Sequence, residues 1–215
     1  MPPTPRTTAR DRVGVATPRL PRPEIYSREM TPPHSAPGFR EALDTLNEAL
    51  TGDSERPELE FEEMPAPQRL APFSAALSAA VVREDAELAV GRLILLHDPQ
   101  GRPGWDGQFR LVAYIRADLE PEIADDPLIG TVAWSWLIES LEEAGYSAES
   151  GTITRAVSES FGGKEDEPAT TELELRASWS PAGTDLRAHV RAWTEVMCMA
   201  AGLPPRGVRD LKDVR

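Results

Sequence analysis

A single cysteine, Cys198, stands among 215 residues, so no disulfide can close within the chain and its thiol content points to no oxidising compartment. Lysine is nearly absent, two against 21 arginines, and acids outnumber bases 36 to 23. The resulting charge of −13 counts against a polyanion partner, because binding nucleic acid needs a concentrated basic face that releases counterions. No apolar run approaches the roughly 18 to 20 residues of a membrane span, and the N-terminus lacks the apolar core of about 7 to 15 residues that a signal peptide carries. The expectation is a cytoplasmic chain that engages neither nucleic acid nor membrane.

Large apolar residues are scarce over residues 1–35, which carry eight prolines, six arginines and three acids. Such a segment cannot bury enough surface to offset its chain entropy, so it is expected to be a disordered extension. Its net positive charge makes the remainder more acidic than the total suggests. Residues 36–204 are expected to form one domain, and 205–215, within "PPRGVRDLKDVR", a flexible tail.

Hydrophobic periodicity organises the part between. "GFREALDTLNEAL" places Phe39, Ala42, Leu43, Leu46 and Leu50 at helical spacing, with Gly52 as a stop. "ELEFEEM" alternates Leu59 and Phe61 with glutamates and reads as a short strand near an edge, before the breaker "PAP". "FSAALSAAVV" puts Phe73, Ala75, Leu77, Ala79 and Val81 on one side, and strand is chosen over helix. "GRLILLHDP" and "QFRLVAYIRA" read as a hairpin joined by a long loop, the second strand turning Phe109, Leu111, Ala113 and Ile115 inward. "GTITRAVSESF" and "TTELELRASW" form a second antiparallel pair across "FGGKEDEP". A last helix, "TDLRAHVRAWTEVMCMAAG", aligns Leu186, Val190, Trp193, Met197 and Ala200, starts at Thr184 or Asp185 and stops at Gly202.

The order helix, strands, helix, two strands, helix lacks the alternation of a parallel doubly wound sheet. It predicts an α+β fold, a mainly antiparallel sheet of five to six strands covered by about three helices. In element order this resembles the type III secretion chaperones. "EMPAPQRLAPFSAALSA", "GRLILLHDPQGRPGWDGQFRLVAYIRADLEPEIADDPL", "WSWL" and "TELELRASWSP" together resemble an actinobacterial family catalogued as domain of unknown function number three thousand. The resemblance runs from about Gly38 to Pro204; it implies a cytoplasmic protein and carries over no catalytic residue.

No catalytic residue, metal site or cofactor is assigned from the residues either. Cys198 needs an activating base, and His189, nine helical positions away, falls on the opposite face roughly 13 Å along the axis. "GRPGWDG" lacks the lysine and hydroxyl of a phosphate loop, and one cysteine builds no thiolate cluster. The carboxylates from Asp118 to Asp126 lack the ligand alternation of a calcium loop; Glu120, Glu122, Asp125 and Asp126 suit a solvated helix N-terminus instead. "HDPQGRPGWDG" gathers His97, Asp98, Arg102, Trp105 and Asp106, which suit a small polar ligand, although a hairpin loop closed by turns is the plainer reading.

In "DPLIGTVAWSWLIESLEEAG", Ile129, Val132, Ala133, Trp136, Leu137, Leu141 and Ala144 make the inward helical stripe. Trp134 and Ile138 form an i, i+4 pair on the far side and need a second cover: the same chain, a second copy, or another protein. They are the candidate partner-binding residues. Two functions stay open. A non-enzymatic adaptor or chaperone-like module that binds protein through an acidic surface is preferred; the alternative is a small-molecule enzyme or sensor using the 97–107 loop. Deleting residues 1–29 is expected to leave the melting temperature unchanged in a thermal denaturation scan, and a fall of several degrees would show that the extension packs on the domain.

Overall fold

The structure, a computed structural model, describes residues 36–52, 56–204 and 206. The expected extension over 1–35 and all of the expected tail except residue 206 lie outside them. Three long helices appear where periodicity places them: α1 over Pro37–Gly52, α3 over Ile129–Leu141 and α4 over Arg187–Ala200, with a one-turn helix, α2, over Pro121–Ala124. Gly52 is the last residue of α1 and not its stop. Six strands, β1 (Leu59–Glu63), β2 (Phe73–Arg83), β3 (Ala86–His97), β4 (Phe109–Leu119), β5 (Tyr146–Ser158) and β6 (Thr170–Pro181), form one open antiparallel sheet. Their order is β1-β2-β3-β4-β6-β5.

Strand β3 begins five residues before the expected "GRLILLHDP". It joins β2 through Glu84 and Asp85, both in the left-handed region at φ 54° and 64°. A two-residue hairpin turn of that hand normally calls on Asn-Gly or Asp-Gly, so Glu-Asp gave no turn signal.

Alternation along the strands divides the sheet into two faces. On the inner face Ala75, Leu77, Leu93, Leu95, Leu111, Ile115, Leu173, Leu175 and Trp179 are buried, and with residues of all three long helices they form one core. Helix α4 lies at its centre, packing on β3, β4, α1 and α3. It packs tightly at Gly91, where a Cβ would stand 2.4 Å from Met197 Sδ and 2.9 Å from Trp193 Cζ2. A larger residue there would force those side chains to move.

Polar ties fix α4 in place. At its start, Leu186 N donates to Thr45 Oγ1 of α1 at 3.0 Å, and the Asp185 carboxylate accepts the Arg187 N–H at 3.2 Å. At its end, Leu203 N bonds Cys198 O and Gly202 takes φ 75°, the glycine stop expected. On the strand lead-in, Arg56 pairs with Glu195 at 2.9 Å and donates to Pro204 O at 2.9 Å. In the core, the Trp179 indole N–H donates to His189 Nδ1 at 3.1 Å, so His189 is the tautomer protonated at Nε2.

Burial pushes the His189 pKa down to about 4, against a smaller opposing pull from Asp185. A histidine whose folded pKa lies below its unfolded value stabilises the fold in full above about pH 6.5 and loses that contribution as pH falls toward the folded pKa. His97, also lowered by burial, adds in the same direction. Urea titrations are expected to lose about 3 kcal/mol of stability between roughly pH 6.5 and 4 through His189. His189→Gln should flatten that slope, and an unchanged slope would show that other groups set the acid limit.

Candidate functional site

The two halves of the 97–107 segment point to different places. His97 ends β3 on the inner face, 2 % exposed, stacked on Phe109 at 4.3 Å between ring centroids and flanked by Phe39 and Phe73. Its Nδ1 lies 3.2 Å from Gln108 O and therefore carries the proton. Nε2 finds no hydrogen-bond partner among the described residues. A bare imidazole nitrogen facing phenylalanines is a core group held neutral, and it does not reach the loop's charged residues.

Beyond His97 the chain makes the turns expected of it. Gly101 N bonds Asp98 O and Trp105 N bonds Arg102 O. Asp98 and Arg102 form an i, i+4 ion pair at 2.9 Å, which with the Gln100 N–H holds the Asp98 carboxyl below its usual range. The Arg102 guanidinium lies over the Trp105 ring at 5.6 Å and also reaches Leu70 O. Asp106 contributes its backbone N–H to Ser180 Oγ at 3.0 Å. Asp98, Arg102 and Trp105 thus come together, satisfying one another, while His97 and Asp106 stand apart.

The tryptophan question has a geometric answer. Ile129, Ala133, Leu137 and Leu141 form the buried row of α3, and Trp134 and Trp136 project roughly 80° to either side of it at 100° per residue. Both are half-buried and both pack against the core. Trp136 was expected inside and Trp134 outside; each instead occupies a shoulder. Trp134 is covered by β5 of its own chain: at Gly151 a Cβ would stand 2.6 Å from Trp134 Cζ3 and 2.5 Å from Arg176 O. Ile138 is half-buried further round the helix.

Cys198 is buried beneath Arg56 and Glu195, and burial pushes its thiol up to about 12, which leaves no thiolate at neutral pH. In the acidic run before α3, Asp126 Oδ1 accepts the Leu128 N–H at 2.8 Å. Among the described residues no group of three or more His, Cys, Asp or Glu side chains is placed to share a metal ion.

The feature that alternation did not bring forward is the outer face of the sheet. No helix lies over it among the described residues, since all three long helices share the core on the other side. Leu88, Val90, Ile94, Val112 and Tyr114 line its centre half-buried. In register across the strands, Ser78 faces Arg92, Arg92 faces Tyr114 and Tyr114 faces Arg176. Tyr114 donates to Glu174 at 3.0 Å, Arg176 stacks on its ring at 5.8 Å and pairs with Glu174 at 2.7 Å, and Arg116 pairs with Glu172 at 3.4 Å. Arg92 is exposed and has no ion pair or hydrogen bond among the described residues.

The family model described as "Protein of unknown function (DUF3000)" matches residues 35–209. Neither a curated protein nor a solved structure matches the chain, so the likeness to secretion chaperones stays one of element order. Trp134→Ala is expected to cost the monomer about 2 kcal/mol in chemical denaturation, close to the cost of Trp136→Ala, because both are half-buried on the same core. A Trp134→Ala variant as stable as the wild type would show that β5 is no real cover.

Proposed function

We propose that this chain, which belongs to the DUF3000 family, is a non-enzymatic protein-binding module whose docking surface is the outer face of its sheet. The observation that carries this is an apolar strip with a cation at its centre: Val90 and Ile94 flank Arg92, which makes no ion pair among the described residues, and Val112 and Tyr114 continue the strip onto β4. The five long strands, 11 to 13 residues each and about 4.8 Å apart, give the whole outer face on the order of 900 Å², the area one side of a stable interface needs.

The occupant that fits is a polypeptide segment with apolar side chains around a carboxylate. An apolar patch alone would accept many partners. An arginine at its centre selects one that brings a negative charge into the desolvated middle, where a bidentate guanidinium contact is strong and a missing one is costly. The glutamates of β6 on this face, Glu172 and Glu174, are engaged with Arg116, Arg176 and Tyr114, and Arg92 makes no ion pair among the described residues, which leaves it for the partner. The absence of an assembled nucleophile, base and orienting group around Cys198 and His97 favours binding over catalysis in the described residues.

A photo-reactive residue placed at Ser78, across from Arg92, is expected to give one discrete adduct in the cell that makes the protein. The same probe at Arg191 on α4 should give none. Arg92→Glu and Ile94→Asp should abolish the adduct with little change in melting temperature. An adduct of twice the chain mass would replace the foreign partner with a second copy, and no adduct from Ser78 would sink the proposal.

A further inference from the structure

Arg110, on the outer face at the start of β4, is buried, yet every partner it has is neutral. Nη1 donates to Ala148 O at 2.7 Å and to Ser180 Oγ at 3.4 Å; Nη2 donates to Ser178 Oγ at 2.7 Å and to Ser150 Oγ at 3.3 Å. Among the described residues Nε has no partner, and no carboxylate stands within ion-pair distance of the guanidinium. Nor is Nε closed off from solvent, since it is absent from the fully buried orphaned polar atoms. Glu149 is the acid whose charge reaches Arg110, from an exposed position on the rim.

The strand geometry builds this cluster. Strand β5 shifts register between Ser147 and Ser150, with Ala148 at φ 53°, and the displaced Ala148 carbonyl turns to Arg110. Ser150 and Ser178 are register partners, and Ser178 is in turn the partner of Val112. Ser180 accepts a second donor, the Asp106 N–H.

We propose that Arg110, Ser150 and Ser178 form a binding site for a compact oxyanion of the phosphate or carboxylate class. A buried cation with no counter-charge in contact is disfavoured, and hydroxyls satisfy its N–H groups without neutralising it. Each hydroxyl that accepts from Arg110 keeps a hydrogen to donate. Ser150 and Ser178 lie 3.4 Å apart, so only one can donate to the other. At least one hydroxyl hydrogen and the Arg110 Nε–H are left for an acceptor, beside a positive charge, on the solvent side of the sheet. An oxyanion supplies both the acceptors and the charge. This surplus of donors separates a ligand site from a mere staple for the β5 bulge, for which the bond to Ala148 O would suffice.

The test is an NMR titration of the full chain with inorganic phosphate, and separately with acetate, against chloride at equal ionic strength, following the Arg110 Nε–H and the Ser150 and Ser178 amides. Saturable shifts confined to these signals are expected with one or both oxyanions, and whichever saturates at lower concentration names the class. Ser178→Ala should weaken binding roughly tenfold through loss of a charge-assisted contact, and Glu149→Gln should tighten it by removing a competing charge. Both substitutions leave Arg110 and the bulge in place, so a folding defect does not obscure the outcome. Shifts that never saturate, that spread over all arginines, or that are unchanged in Ser178→Ala would overturn the proposal and leave Arg110 as a staple. The result is independent of whether a polypeptide docks at Arg92.

Discussion

The approach of α4 to β3 at Gly91 is the constraint on which the other contacts hang. A methyl group there would collide with Met197 and Trp193, and without the close seat those two side chains could not fill the middle of the inner face. Once α4 is seated, α1 and α3 find their places along its flanks. The polar ties then act along it: Thr45 at its start, Trp179 on His189 in its first turn, and Arg56 on Glu195 toward its end. Each crosses from α4 or its leading residue to a different element, so displacing the helix would break them together.

Drawing three helices to one side leaves the sheet with two faces of different chemistry. The buried centre of the inner face is alanine, leucine, isoleucine and tryptophan without charge. The outer face mixes valine, isoleucine and tyrosine with arginines and glutamates, among which Arg116 pairs with Glu172 and Arg176 with Glu174. Arg92 and Arg110 are the exceptions in different ways. Arg92 is exposed and without an ion pair among the described residues, a charge still hydrated by water, whereas Arg110 has lost most of its water and is contacted only by neutral groups. The first has little to gain until something covers it; the second has already lost hydration that an anion could replace.

Much of this architecture was legible because its two periods are clean. Phe39, Ala42, Leu46 and Leu50 in α1, and Leu173, Leu175, Ala177 and Trp179 in β6, lie where spacing placed them. The misses share a cause: they depend on backbone geometry that side-chain type does not announce. Glu84 and Asp85 turn left-handed without a glycine, so β3 began too late. Trp134 was assigned to the far side because two tryptophans two apart were divided between in and out; a narrow row of four buried residues allows both to sit on shoulders. His97 read as part of a polar loop because its neighbours are polar, although it is the last inward position of a strand. Arg110 occupies an outward position of an alternating strand, which spacing alone leaves exposed, and the bulge near Ala148, in another strand nearly forty residues on, helps enclose it.

The helix that closes the core, α4, follows all six strands in sequence. As the polypeptide leaves the ribosome, β1 to β4 can pair by local hairpins, but Leu77, Leu93, Leu95, Leu111 and Ile115 then form a greasy plane facing the crowded cell. The later α3 and β5 reach only part of it. The plane lacks its central cover until residues Arg187 to Ala200 emerge from the exit tunnel. Until then the nascent protein is itself a client for whatever shields apolar surface.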